Sequence, residues 1–199
     1  MITLYDSAIS GNCYKIRLLL TQLAKKFKRI EMDIFKGGTR TTEFLSKNVN
    51  GKVPAVELED GNILAESNAI IWYFAENTPF LPEGKLNRAR ILQWMFFEQY
   101  SHEPYVAVAR FVKHLQPDSP RLAELPNLHK KGYAALDVME KHLSTNDFFV
   151  ANCYTISDIA LYAYTHVAHE GGFDFTSYPA IRAWFDRIKN QPNHILITQ

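Results

Sequence analysis

The segment Ser10-Gly11-Asn12-Cys13 carries the first polar side chains whose types and spacing suggest chemistry. It lies between a short apolar segment, Ile2 to Tyr5, which is typical of a strand, and an amphipathic helical pattern. A helix N-terminus presents unpaired N–H groups and a partial positive charge, which stabilise an anion such as a thiolate. The spacing is that of a C-x-x-C redox motif without its first cysteine. The alternative is that Ser10 only caps the helix and Cys13 packs in the core.

A second candidate is Val53-Pro54, which precedes the third predicted strand. Proline cannot donate a ladder hydrogen bond, so it is expected where a strand starts. If the bond between the two residues is cis, the backbone N–H and C=O of Val53 turn outward and can pair with an extended peptide ligand. The alternative is an ordinary trans proline.

The pair Glu66-Ser67 stands at the start of the third predicted helix. A helix N-terminus with a serine hydroxyl attracts a carboxylate, and the neighbouring Glu66 attracts an ammonium group. Together the two residues match the α-amino-acid end of a ligand. The alternative is that Ser67 is an N-cap and Glu66 is solvated.

Three basic residues flank these turns, namely Lys36, Arg40 and Lys52. Such side chains can pair with a second carboxylate of a ligand. Any one of them can equally belong to a solvated basic face.

Aromatic residues make up 13% of the chain, and six of them crowd one stretch, residues 94–111. They bracket the polar segment Ser101-His102-Glu103-Pro104, where proline is expected to kink or break a long helix and to open a cleft. An apolar pocket with a few polar groups suits a small hydrophobic ligand. Some of these rings must instead be core. The six are Trp94, Phe96, Phe97, Tyr100, Tyr105 and Phe111.

The elements that must position these residues follow from hydrophobic periodicity. Residues 1–77 read as β-α-β-α-β-β-α, with a second strand over Ile30 to Ile34, a parallel first pair of strands and an antiparallel hairpin at Asp60-Gly61. Residues 78–86 form a linker, and residues 87–199 are predicted to be all-helical. In that half one helix spans about 127–142, another runs from Thr155 to Gly171-Gly172, and a last one starts near Pro179.

The composition excludes several functional classes. The 22 basic and 21 acidic residues give a net charge of +1, so phosphate-driven binding of nucleic acid is not expected. Two cysteines form neither a disulfide framework nor a four-thiolate zinc site, and no metal site is predicted. Without a signal peptide or a long apolar run, we expect a cytoplasmic protein that is not inserted in a membrane.

The ordered set of motifs resembles the cytosolic glutathione S-transferase family over essentially the whole chain. The resemblance lies in Ser10 to Lys15, in Asn50 to Ala55, in Leu64 to Ile70 and in Thr155 to Ala160. It implies an α+β two-domain protein, with a thioredoxin-like N-terminal domain and a C-terminal helical bundle.

The resemblance also implies roles for the site residues. Val53 and the cis-proline Pro54 would pair with the cysteinyl backbone of glutathione, and Glu66 and Ser67 would hold its γ-glutamyl end. The basic residues Lys52 and Lys36 or Arg40 would lie near its glycyl carboxylate.

The resemblance leaves the group that activates the thiol open. Theta-class and zeta-class members use a serine where Ser10 stands. Beta-class members have a cysteine, and some bacterial members an asparagine, where Asn12 stands. We therefore expect Ser10 to be the thiol's hydrogen-bond donor, with Asn12 as the alternative.

The expected function is a detoxifying glutathione transferase that forms a homodimer, binds no metal and presents the thiolate of glutathione to a hydrophobic electrophile. The wall of the electrophile pocket is expected from Tyr100, Tyr105 and Phe111, with His102 and Arg110 as polar contacts. The alternatives are a glutathione-binding or ligand-binding regulatory protein with little catalysis, and a glutathione-dependent isomerase or peroxidase.

Overall fold

A computed structural model describes all 199 residues, which divide into two compact units. The first unit comprises Met1–Glu76 together with Pro192–Gln199, and the second comprises Asn77–Gln191. The sequence pattern assigned residues 192–199 to the helical domain, whereas the structure packs them with the first unit. The reason is a set of hydrogen bonds from α1 (Gly11–Gln22) to backbone carbonyls of this C-terminal segment.

The first unit is built on a four-stranded mixed sheet of β1 (Ile2–Asp6), β2 (Phe27–Glu31), β3 (Ala55–Glu57) and β4 (Ile63–Ala65), in the order β2-β1-β3-β4. As the sequence predicts, β1 and β2 are parallel, and β3 and β4 form an antiparallel hairpin. The hairpin turns at Gly61, whose φ of +86° lies in the region that glycine adopts readily. Besides α1, the helices of this unit are α2 (Thr42–Lys47) and α3 (Ser67–Ala75).

The position of the second strand differs from the sequence prediction. The alternation over Ile30 to Ile34 predicts a strand there, but β2 spans Phe27–Glu31. Its register pairs Ile2 with Phe27 and Asp6 with Glu31. The bounds of β2 are therefore set by pairing with its parallel neighbour β1 and not by the alternation of its own apolar residues.

The second unit contains helices and no strand, apart from an isolated bridge between Val150 and Cys153. Its helices are α4 (Lys85–Phe97), α5 (Glu103–Arg110), α6 (Leu125–Leu143), α7 (Ile156–Thr165) and α8 (Pro179–Lys189). No helix of the protein combines the length and apolar character that crossing a bilayer requires.

The expected interruption near Pro104 is present but lies just before the proline. A π-helical turn over Glu98–His102 separates α4 from α5, and Pro104 occupies the first turn of α5, where its missing N–H costs no helical bond. A second π-helical turn, Phe111–Leu115, ends this helical stretch.

Helix α7 is the central element of the second unit, since all ten of its residues are buried. Thr155 and Asp158 form a reciprocal capping box at its N-terminus, as the sequence motif predicts. The helix ends at Thr165, earlier than the predicted Gly171-Gly172, because a separate 3-10 turn covers residues 168–171 before Gly172 takes a left-handed conformation.

Candidate functional site

The sheet register brings the three predicted turns to one end of the first unit. Tyr5 of β1 pairs with Ala55 of β3, and Ala55 pairs with Ala65 of β4. Strand β3 runs antiparallel to both of its neighbours. The end of β1, the start of β3 and the end of β4 therefore lie side by side. The segments next to these strand ends are Ser10, Val53-Pro54 and Glu66-Ser67.

Ser10 is the N-cap of α1. Its backbone is extended, and its Oγ accepts a hydrogen bond of 3.3 Å from the N–H of Cys13. Its own N–H donates to the Ser7 carbonyl at 2.9 Å, which closes the turn between β1 and the helix. The hydroxyl therefore stands at the positive end of a 12-residue helix, as the sequence predicts for an anion site.

Cys13 lies in the core of the first unit rather than at its surface. It is fully buried, and burial, with a smaller contribution from the nearby Asp6 carboxylate, raises the pKa of its thiol to about 12. Its Sγ accepts a hydrogen bond from the Ser7 N–H at 3.3 Å. This agrees with the alternative reading in which Cys13 packs in the core.

The Val53-Pro54 peptide bond is cis, as the family resemblance implies. Pro54 is buried and Val53 is half-buried against Tyr5, Phe44 and Ala55. The preceding loop is held by the Asn48 side chain, whose Nδ2 donates to the Lys52 carbonyl at 2.8 Å.

Glu66 and Ser67 begin α3, but not in the way that the capping alternative predicts. The N-cap residue is Glu66, whose φ is +65°, and Ser67 is already the first helical residue. A non-glycine residue at positive φ is strained, and such strain is concentrated at functional sites. The Glu66 side chain makes no capping bond, and the Ser67 hydroxyl donates to Asn12 Oδ1 at 3.0 Å.

Lys15 is a member of this cluster that the sequence analysis did not single out. It is completely buried in α1, and its ammonium group donates to Ser67 Oγ and to Asn68 Oδ1, both at 3.3 Å. A buried ammonium group is rare and requires partners. The available signal was a lysine directly before the apolar Ile16, five residues after the capping serine.

The three basic residues are all exposed but have different surroundings. Arg40 donates to the Asn50 carbonyl at 3.2 Å and packs directly over Gly51. Lys36 forms a 3.6 Å ion pair with Asp33 on an exposed face. Arg40 and Lys52 therefore flank the Val53 loop, whereas Lys36 has the solvated setting of the alternative reading.

The residues predicted to line an electrophile pocket lie in the second unit, and the structure separates them. A cavity of about 290 Å³ opens there, and of the five predicted residues only Phe111 lines it. The remaining lining side chains are Gln99, Glu103, Pro104, Ala107, Val108, Arg121 and Tyr164.

The two predicted polar contacts are buried and engaged elsewhere. His102 is fully buried, and its Nε2 lies 2.9 Å from the Thr165 hydroxyl. Because that hydroxyl donates to the Leu161 carbonyl, it accepts from His102. Arg110 is also buried and is paired with Glu170 at 2.5 Å. The structure gives neither residue an exposed polar face for a ligand.

The two predicted tyrosines do not line this cavity either. Tyr100 is 84% exposed, and Tyr105 is half-buried with the Lys131 ammonium 5.0 Å from its ring centre. The aromatic character of this region is thus divided between a core and an exposed face.

Comparison with known proteins agrees with this architecture. The family profile described as "Glutathione S-transferase, N-terminal domain" matches residues 9–77, and "Glutathione S-transferase, C-terminal domain" matches residues 94–192. Among curated proteins, the "Disulfide-bond oxidoreductase YfcG" of Escherichia coli is 31% identical over 96% of this chain and 92% of its own. Glutathione S-transferase 3 of Zea mays is 27% identical over 96% of this chain and 90% of its own.

A solved structure is still more similar. The crystal structure of a glutathione S-transferase from Pseudomonas fluorescens is 51% identical, covers 100% of this chain and 99% of its own, and superposes with a TM-score of 0.97. Two domain matches that together span most of the chain, and a relative above 30% identity along nearly its whole length, establish the family. The chain belongs to the glutathione S-transferase family.

Proposed function

We propose that the protein is a glutathione transferase that holds the sulfur of glutathione as a thiolate beside Ser10. Glutathione is the cosubstrate of the family. The observation that carries the proposal is the hydrogen-bonded chain Asn12–Ser67–Lys15, because it ties the start of α1 to the start of α3 at the sheet end that also holds the cis Val53-Pro54 bond.

The polar groups of this end fit the parts of the tripeptide in order. The carboxylate of Glu66 would take the γ-glutamyl ammonium group, and the N-terminus of α3 at Ser67 would take its carboxylate. The cysteinyl backbone would pair with the N–H and C=O of Val53. Arg40 and Lys52, which flank the loop, would attract the glycyl carboxylate.

The thiol would then lie at the N-terminus of α1. The Ser10 hydroxyl would donate to the thiolate, and the helix N-terminus would stabilise its negative charge. One hydrogen bond and one helix dipole, each worth on the order of 1 kcal/mol, lower the thiol pKa by roughly one to two units. The buried ammonium group of Lys15 adds positive charge near the same turn.

The cosubstrate would be an apolar electrophile. The thiolate would attack an electrophilic carbon, forming a C–S bond while the leaving group departs with the electron pair of the bond that breaks.

A second candidate reaction is the reduction of disulfides by glutathione, because the similar Escherichia coli protein is named a disulfide-bond oxidoreductase. The glutathione thiolate would attack one sulfur of the disulfide and expel the other as a thiolate. A second glutathione would release the remaining thiol and form oxidised glutathione. Since Cys13 is buried with a raised pKa, both thiols would come from glutathione.

Retention on glutathione-agarose, followed by assays with chlorodinitrobenzene and with hydroxyethyl disulfide, tests the proposal. We expect retention and conjugation that both depend on Ser10. Ser10→Ala should lower kcat/KM about tenfold or more and raise the pH midpoint of the profile by about one unit. Ser46→Ala, in which an exposed hydroxyl bonded to the Glu43 carbonyl is lost, is the matched control.

Each outcome of these assays decides between the candidates. If Ser10→Ala leaves the pH midpoint and turnover unchanged while Asn12→Ala lowers turnover, Asn12 is the activating residue. Retention without turnover of either substrate favours the regulatory binder, and turnover of the disulfide alone favours the second reaction.

We also propose that the protein is a homodimer. Leu92, Phe96 and Tyr100 recur every four residues along α4 and the turn after it, and all three are exposed. An apolar stripe of this kind is typical of a surface covered by a partner. Sedimentation of the wild-type chain and of Phe96→Glu tests this, with a dimer expected for the first and a monomer for the second.

A further inference from the structure

Arg17 of α1 is a buried cation that joins three separate parts of the first unit. Only about 1% of it is exposed. Its guanidinium group donates to the Asp6 carboxylate at 2.5 Å, to the carbonyls of Ser7 and Ala8 at 3.4 and 3.1 Å, and to the Ile197 carbonyl at 2.6 Å. One side chain thereby connects the end of β1, the turn that follows it and the C-terminal segment.

A buried guanidinium group needs acceptors, and the two terminal nitrogens of Arg17 share these four, whereas its buried Nε has none. Removing one partner of a buried charge is strongly destabilising, because the remaining charge stays desolvated. Arginine suits the position because its planar group directs several N–H donors at fixed angles, which the ammonium group of lysine does not. The Asp6 carboxylate is shared with Arg29 at 2.7 Å, so it is held from two sides.

The C-terminal segment, residues 192–199, docks on the same face of α1 at a second point. The Tyr14 hydroxyl donates to the Ile195 carbonyl at 2.7 Å and lies 3.3 Å from His194 Nε2. Tyr14 and Arg17 are three residues apart, so both belong to one face of the helix. The segment is therefore fixed through two of its backbone carbonyls.

The turn that Arg17 holds is the one that presents Ser10. The Ser7 carbonyl, which accepts from Arg17, also accepts from the Ser10 N–H at 2.9 Å. The Ser7 N–H donates to Cys13 Sγ, and the Ala8 N–H donates to the Glu31 carboxylate at 2.9 Å. The position of the Ser10 hydroxyl thus depends on a turn whose carbonyls are tied through Arg17 to the last residues of the chain.

We propose that Arg17 is a positioning residue for the thiol-activating turn and that the C-terminal segment completes the site by supplying the Ile197 carbonyl. The inference rests on the proposed function, since it assigns Ser10 to the glutathione sulfur. It extends the site to residues 194–197, which no motif of the sequence connects with glutathione.

Amide hydrogen exchange over residues 7–13 and glutathione kinetics test the proposal in the full-length protein, in a chain that ends at Asn193 and in Arg17→Met. Exchange is measured without glutathione, so it reports on the turn whether or not the protein is a transferase. We expect exchange at least about tenfold faster in both variants, because local opening becomes easier. We also expect a higher pH midpoint of kcat/KM, a readout that a change in global stability alone does not move.

Two further variants keep the test decisive. Thr198→Ala, at an exposed position of the same segment, should match the wild type in exchange and kinetics. Tyr14→Phe removes the hydrogen bond to the Ile195 carbonyl and leaves Arg17 intact. It should raise the exchange rate and the pH midpoint by less than the other two variants do. This measurement tests the proposal even if the shortened chain does not fold.

The two proposals fail in different ways. Wild-type exchange and a wild-type pH profile in a folded, shortened chain would overturn the role of the C-terminal segment. Absence of glutathione binding and turnover in the full-length protein would instead overturn the proposed function, and the exchange rates would still show whether the segment holds the turn.

Discussion

The hydroxyl of Ser67 donates a 3.0 Å hydrogen bond to Oδ1 of Asn12, and this bond joins the first turns of α3 and α1. The two residues are 55 positions apart in sequence. In the proposed site, Ser67 belongs to the part that binds the γ-glutamyl end and Asn12 to the part that holds the sulfur. A substitution in the part that binds the γ-glutamyl end should therefore also alter the position of the residues around the sulfur.

Lys15 provides the first prediction. Its ammonium group donates to Ser67 Oγ, so Lys15→Met should weaken binding of the γ-glutamyl carboxylate and raise the KM for glutathione about tenfold, which corresponds to about 1.4 kcal/mol. Steady-state kinetics with glutathione as the varied substrate measure this. The matched control is Lys25→Met, at an exposed position beyond the end of the same helix. An unchanged KM in a folded Lys15→Met protein would contradict the assignment.

Glu66 provides a prediction in which binding and stability change in opposite directions. Glu66→Gly removes the carboxylate that would hold the ligand ammonium group, so the KM for glutathione should rise. Because the residue has a φ of +65°, glycine should also relieve backbone strain and stabilise the fold by up to about 1 kcal/mol. Glu66→Gln separates the two effects, since it should raise KM without the gain in stability. Kinetics combined with urea unfolding measure both, and a Glu66→Gly protein with wild-type KM would remove Glu66 from the site.

Cys13 should be dispensable for turnover. Since burial raises the pKa of its thiol to about 12, it is not ionised at neutral pH and should not react with iodoacetamide in the native protein. Cys13→Ala should keep kcat/KM within about twofold of the wild type and cost about 1 kcal/mol of stability through the lost packing. Mass spectrometry after alkylation and a conjugation assay check this. A large loss of activity in the folded variant would show that the protein's own thiol takes part.

The buried carboxyl of Asp158 should make the unfolding free energy of the protein depend on pH. Burial raises the pKa of this carboxyl from its ordinary value of 3.8 to about 6, so the folded protein holds the proton more tightly than the unfolded chain does. The resulting stabilisation is complete below about pH 3.8 and is lost as the pH rises through about 6. In Asp158→Asn this titration is absent. The difference in unfolding free energy, wild type minus variant, should fall between pH 4 and pH 7 in urea titrations, and a constant difference would contradict the raised pKa.

The local features of the site could be predicted from the sequence because each depends on a few neighbouring residues. Ser10 at the helix start, the turn at Asp60-Gly61 and the capping box of Thr155 and Asp158 are all short-range patterns, and the structure contains all three. The strand directions also follow from the order of the elements, since a helix between β1 and β2 makes them parallel.

Features that depend on distant residues were not predictable in this way. The position of β2 is fixed by pairing with β1. The hydrogen-bond partner of the buried His102 is Thr165, which lies 63 residues away in the sequence. The sequence left open whether Ser67 binds a ligand carboxylate or caps the helix, and it could not show that the Ser67 hydroxyl bonds Asn12 and Lys15.

The sequence by itself determined the order of the elements, the family, and the residue types that meet at one end of the sheet, because periodicity and turn residues are local properties of the chain. Tertiary structure alone decided which of those side chains touch. It buried Lys15 and Arg17, folded residues 192–199 back onto α1, and left Phe111 as the predicted aromatic residue that lines the cavity. Burial and hydrogen-bond partners are set by segments far apart in the chain, so no local pattern could show them.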